Sequence, residues 1–244
     1  VERSPVIRRD YRLLSEAAAV VASPQIRNAG TIGGNLCQDA RCWYYRAGLK
    51  CYRAGGNVCY ADTPEGMNRE HAIFGARRCV AVTPSDVAPA LVALDARMVV
   101  RRGGKRRVVD AEDFFMEPAV DITRMTILEP EDLLISIRIP ARWAGARFYF
   151  EKVADRGSWD FALASISAAL GGSGERVDDA RLVAGAVQCT PRRLRRAESI
   201  VRREGRGAAE TAGAAAVEGA RTLNYIEFKV PLLEKLVARA VREA

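Results

Sequence analysis

Apolar and polar positions along the chain alternate between helical and strand-like spacing. Between residues 6 and 22, Leu13, Leu14, Ala17, Ala18 and Val21 make an apolar stripe at helical spacing, predicting one amphipathic helix that Ser23-Pro24 ends. Residues 25–39 read as a Gly-rich turn inside short extended pieces, and residues 40–79 show little periodicity. Cys79–Val82 predicts a short strand, and Ser85-Asp86 the start of a helix through about residue 94. Met98–Arg101 and Arg106–Val109 predict a hairpin around Gly103-Gly104, and residues 111–117 a short helix. Leu133–Ile139 alternates clearly enough to predict a strand that Pro140 stops. Phe148–Ala154, Ala162–Gly171 and Ala180–Val187 read as strands, and 191–242, rich in Ala, Arg, Glu and Leu, reads as helices. Strand runs followed by helix runs predict an α+β fold with a separate C-terminal lobe.

Composition narrows the field. The 244 residues are 49% apolar and 28% charged, which suits a folded chain. No apolar run reaches the roughly 18–20 residues that cross a bilayer. The net charge of +8 is carried by Arg spread over both halves. Its two concentrations, Arg101–Arg107 and Arg192–Arg196, lack interleaved aromatics, so solvated faces or subunit contacts are expected rather than a nucleic-acid footprint. The second follows Thr190-Pro191 at an expected helix start. The first residues, Val1-Glu2-Arg3-Ser4-Pro5, are neither a signal peptide nor a Met start, and the expected location is cytoplasmic, or periplasmic if carried out by a partner.

The cysteines alter the picture more. Five of six fall within 43 residues, spaced C-x4-C-x8-C-x7-C-x19-C from Cys37 to Cys79. That is too large a chain and too odd a number for a disulfide scaffold. Zinc sites usually carry close CxxC knuckles, absent here. Thiolates spread along a Gly-rich segment suit a cubane iron–sulfur cluster; a zinc-binding module using the same Cys is the alternative, and an interaction domain with buried free thiols a third reading. His71 reads as a hydrogen-bonding residue in a polar loop. Thr31-Ile32-Gly33-Gly34-Asn35 would expose backbone N–H groups to an anion, or form a structural turn. No GxGxxG follows a strand and no GxxxxGK[ST] occurs.

Ala22–Leu36 resembles the second flavin-contacting segment of the FAD subunits of molybdenum hydroxylases, the xanthine dehydrogenase and carbon monoxide dehydrogenase family. Pro84–Ala96, Pro130–Pro140 and Phe150–Val153 resemble later segments of the same subunits. The insertion between the first two resembles the branch with a 4Fe-4S cluster, which includes the 4-hydroxybenzoyl-CoA reductase β subunit and the aldehyde oxidoreductase FAD subunit.

The resemblance implies the remainder of a VAO/PCMH-type FAD-binding domain over residues 1–140, with an iron–sulfur insertion at 38–83, and a C-terminal lobe of antiparallel sheet packed with helices over 141–244. It implies an oxidoreductase subunit that relays electrons between FAD, a 4Fe-4S cluster and partner centres, for an aldehyde or aromatic acyl-CoA substrate held elsewhere. The implied partners are a molybdenum-cofactor large subunit and a 2Fe-2S small subunit, in a heterotrimer or a dimer of heterotrimers. For FAD it implies Thr31, Ile32, Gly33, Gly34 and Asn35 at the pyrophosphate and ribityl region, with Gln38 just beyond. Asp86 would bind a ribose hydroxyl or cap a helix, Leu134 would pack near adenine or flavin, and Lys152 would lie at the flavin ring. Trp159 would approach the ring or, the favoured reading, pack in the core. The implied cluster ligands are Cys42, Cys51, Cys59 and Cys79, with Cys37 a buried neighbour or substitute and Cys189 a packing residue. Gly55-Gly56-Asn57 would supply a tight bend, and Arg41, Arg46 and Lys50 would offset cluster charge. The family's first flavin segment, an Ala-Gly-Gly-Thr-like loop, is missing from these residues, so weak FAD binding is expected of the chain as it stands.

Overall fold

The expected first helix is two. In the computed structural model, which describes residues 1–244, α1 spans Pro5–Asp10 and α2 spans Arg12–Ala19. Tyr11 parts them, its φ of −140° and ψ of 51° lying outside the helical region. Leu13, Leu14 and Ala17 are buried as the stripe requires. Ser23-Pro24 begins a helix instead of only ending one. Pro leads α3 (Pro24–Ala29), and the Ser23 hydroxyl accepts from Ile26 N at 3.4 Å. Proline lacks a donor that the first helical turn would leave unpaired in any case. The Gly-rich turn is likewise helical. It forms α4 (Ile32–Leu36), capped by Thr31 Oγ1, which accepts from Gly34 N at 3.0 Å.

The cysteine segment carries one short helix, α5 (Trp43–Arg46). The strand expected at Cys79–Val82 is absent; that stretch makes a single backbone bridge between Arg41 and Val82. α6 (Val87–Ala93) follows and is buried all round. β1 (Arg97–Arg102) and β2 (Lys105–Asp110) form the hairpin across Gly103-Gly104. β3 (Leu133–Arg138) pairs antiparallel with the other edge of β1, giving the order β2-β1-β3. Residues Ala111–Phe114 make a single 3-10 turn.

The second sheet runs in chain order: β4 (Arg147–Val153), β5 (Ala164–Gly171), β6 (Asp179–Gly185) and β7 (Arg192–Arg193), all antiparallel. Arg192 and Arg193 thus lie in a strand, and α7 (Arg195–Glu204) opens three residues later than the Arg run suggests. α8 (Ala209–Ala216) and α9 (Lys229–Glu243) complete the chain.

All but the last residue of β5 are buried, because both faces of this sheet are covered. Ala164, Ile166, Ala168 and Leu170 join a core with α7, α8 and α9. Ala169 and Val183 face a second core built with α2, α6 and β1. Gly185 lets α6 lie against β6, since a Cβ there would come within 2.8 Å of the Pro89 ring. The sheet is therefore a wall shared by two cores, and α6 brings the Asp86 end of its helix close against it.

Candidate functional site

A cleft of about 810 Å³ opens between α2, α3, α4, the start of α6 and the loop after β4. Thr31, Ile32, Gly34, Asn35, Gln38 and Asp86 line it. Three further expected residues, Gly33, Leu134 and Lys152, stand behind them. A Cβ on Gly33 would lie 3.9 Å from Leu134, so that leucine packs under the turn from β3. Lys152, on β4, has a side chain only 7% exposed and donates from Nζ to Asp86 Oδ2 at 2.7 Å and to the carbonyls of Asp160 and Val20 at 2.7 and 3.1 Å.

Asp86 does not cap α6. Ser85 does, its hydroxyl accepting from Ala88 N at 3.0 Å while donating to Asn35 Oδ1 at 2.6 Å. Ser85 thereby ties α6 to α4 and leaves the Asn35 amide N–H groups free for a ligand. Burial pushes the Asp86 carboxyl up to about 6, against the pull of Lys152. The far wall is formed by Arg156, Trp159, Asp160 and Phe161. Trp159 is 67% exposed, which overturns its core reading. Nothing in the sequence marks this loop except its aromatic residues between β4 and β5.

A second cavity is lined by Cys42, Cys51, Cys59 and Cys79 together with Arg53 and apolar and aromatic neighbours. Gly55 has φ of 81°, and a Cβ on Gly56 would overlap the Lys50 carbonyl, so the bend at 55–57 depends on glycine. Burial pushes the Cys42 and Cys59 thiols up, so thiolates here need a cation. Of the other two cysteines, Cys37 is not the buried neighbour expected, while Cys189 packs as expected but beside the thiols. Cys37 is exposed and lies outside this cavity, whereas Cys189 is buried against Cys42, Cys79 and Met125.

The charges differ as well. Arg41 is buried but turned toward the cleft wall, donating to the Ala162 carbonyl at 2.6 Å, pairing with Glu70 and stacking 4.9 Å over Phe161. Arg53, two residues after Cys51, is the buried cation among the thiols; Arg78 lines the same cavity but is exposed, its guanidinium 5.9 Å from the Tyr52 ring centre. His71 is buried, with Nε2 3.3 Å from Cys42 Sγ, and burial lowers it to about 4, so it stays neutral. No three His, Cys, Asp or Glu side chains are placed to hold a single metal ion; the four thiols surround a common space instead.

The cleft and the thiol cavity adjoin. Gln38 lines one and Cys42 the other; Pro84 lines the first and Cys79 to Ala81 the second. Four residues span at most about 14 Å.

Residues 1–142 match the model of the FAD binding domain in molybdopterin dehydrogenase. The chain belongs to this family. It is 34% identical over 242 residues to the aldehyde oxidoreductase FAD-binding subunit PaoB of Escherichia coli, covering 98% of this chain and 73% of that protein. It is 27% identical to the carbon monoxide dehydrogenase medium chain of Hydrogenophaga pseudoflava, covering 99% and 69%. The solved carbon monoxide dehydrogenase from that organism superposes with a TM-score of 0.72 at 25% identity, over all of this chain and 70% of the other. The chain is thus an oxidoreductase subunit with FAD as its cofactor, and its α+β fold is that of the carbon monoxide dehydrogenase FAD subunit. No helix is long and apolar enough to cross a membrane.

Proposed function

We propose that this chain is the electron-relay subunit of a molybdenum hydroxylase, with FAD in the 810 Å³ cleft and a 4Fe-4S cluster held by Cys42, Cys51, Cys59 and Cys79. The observation that carries the reading is that four thiols spread along the irregular segment from Cys42 to Cys79 line one cavity, whose neck is within about 14 Å of the cleft wall. Four soft ligands around a space, rather than three converging on a point, suit a polynuclear cluster better than a single zinc ion.

When bound, the flavin and the cluster supply exchange between two-electron and one-electron chemistry. This chain's residues do the rest. Thr31, Gly34 and Asn35 cradle the polar middle of the FAD, with Gly33 behind them and Leu134 filling the space under the turn. Asp86 presents a carboxylate to a cofactor hydroxyl. Lys152 fixes Asp86 and supplies positive charge behind it, which favours an anionic reduced ring. The apolar wall around the cysteines keeps water away from the thiolates. The partners are a molybdenum-cofactor large subunit and a 2Fe-2S small subunit, and the substrate, of the aldehyde or aromatic acyl-CoA class, binds outside this chain.

The test is metal and flavin analysis of the enzyme purified with its partner chains. One FAD is expected per copy, together with four irons that Cys59→Ser removes and that partner centres do not supply. Zinc in place of those irons would overturn the cluster assignment and leave the flavin assignment standing.

A further inference from the structure

Arg53 is a buried cation with too little anion around it. Its side chain is 1% exposed, and the one carboxylate in ion-pair range, Asp39, is 3.9 Å from Nη1 and itself half exposed. Nη2 donates to Cys189 Sγ at 3.4 Å, and the Tyr45 ring centre lies 5.9 Å from the guanidinium carbon. Nε and Nη1 are fully buried and make no hydrogen bond. A guanidinium cannot shed its proton to escape such a place, and a buried donor left unpaired is destabilising. Packing alone would be served as well by Met or Leu. The same side chain lines the cavity of the four thiols, on the turn directly after Cys51.

We propose that Arg53 donates hydrogen bonds to the sulfur shell of the iron–sulfur cluster and raises its reduction potential. This rests on the cluster reading above. A cubane with four thiolate ligands is a net anion whose sulfurs accept hydrogen bonds, and both its charge and those bonds set its potential. The reduced form carries one more electron, so a fixed cation with N–H groups on the sulfurs favours it over the oxidised form. Cys189 acts from the far side as a positioning residue: its thiol holds Nη2 and leaves Nε and Nη1 for the cluster. Arg41, Arg46 and Lys50 are outside the thiol cavity and do not share this role; Arg78 lines it too, but it is exposed against the Tyr52 ring, where solvent screens its charge.

The experiment is an EPR-monitored redox titration of the holoenzyme, preceded by an iron count. In Arg53→Met the four irons are expected to remain, while the one-electron reduction equilibrium falls by at least tenfold, a shift of about 59 mV to more negative potential. Arg53→Lys, which keeps the charge and loses the fork, is expected to shift in the same direction by less. An Arg53→Met enzyme with full iron and unchanged potential would overturn the role of Arg53 and leave the cluster assignment intact. A wild type without the four irons overturns both. If Arg53→Met loses its iron, wild type carrying guanidino-15N arginine decides the matter. The reduced cluster is expected to show an arginine nitrogen coupling in pulsed EPR that Arg53→Lys abolishes, and a wild type without that coupling refutes the proposal.

Discussion

Asp86 and Lys152 form the best-defined charged pair in the cleft wall, and their burial makes them sensitive to change. Removing one member of a buried pair leaves the other uncompensated, typically at about 3–5 kcal/mol. Lys152→Met should therefore destabilise the chain by that order, and Asp86→Asn in the same background should recover much of the loss; denaturant unfolding of the four proteins checks this. The pH dependence has a definite sign. The Asp86 carboxyl sits at about 6 in the folded chain against an ordinary 3.8, because burial outweighs Lys152. The folded chain then binds more protons than the unfolded chain between about pH 4 and 6, so this group makes stability fall as pH rises through that window. Asp86→Asn should flatten that slope, and an unchanged slope would remove Asp86 as its source.

The elements were partly legible in the sequence, and the failures have local causes. Most strands were readable because β3 alternates and β5 runs almost wholly apolar between two cores, but β7 was hidden in an Arg run and the strand expected at Cys79–Val82 does not form. The helices at 24–29 and 32–36 were not, since Pro24 and the paired glycines signal a turn unless Ser23 and Thr31 are recognised as caps. Of the FAD residues taken from the family resemblance, six line one cleft and three stand behind it. The opposite wall, Arg156 to Phe161, had no period or motif to expose it. Burial of His71 and Arg53 was equally hidden, because the packing that covers them comes from residues more than a hundred positions away, such as Cys189 and Lys229. The cysteine loop gives an element-scale prediction. Gly55→Ala meets open space and strains only φ, at about 1 kcal/mol. Gly56→Ala drives a Cβ into the Lys50 carbonyl, so it should cost clearly more and lower the iron content, measured by denaturation and metal analysis.

At the scale of the whole molecule, the cysteine loop is built into the C-terminal core. Ala61, Ile73, Phe74 and Val80 from the loop pack with α7, α8 and α9. Arg221 N donates to the Ile73 carbonyl at 2.8 Å, and the buried Lys229 ammonium donates to the His71 and Ala186 carbonyls at 2.9 and 3.0 Å. Phe74→Ala should accordingly cost about 3–5 kcal/mol and loosen the C-terminal helices, seen as faster amide exchange in α9 with little change in α1. At its other end the loop closes on Arg41 and Val82, whose backbone hydrogen bonds of 2.9 and 3.2 Å hold the neck beside the cleft. A segment fastened at both ends in this way is no removable appendage. Its gain or loss over evolution would have required compensating changes in the helices it covers, so a lineage that dispenses with these cysteines must clothe the same apolar face with different residues.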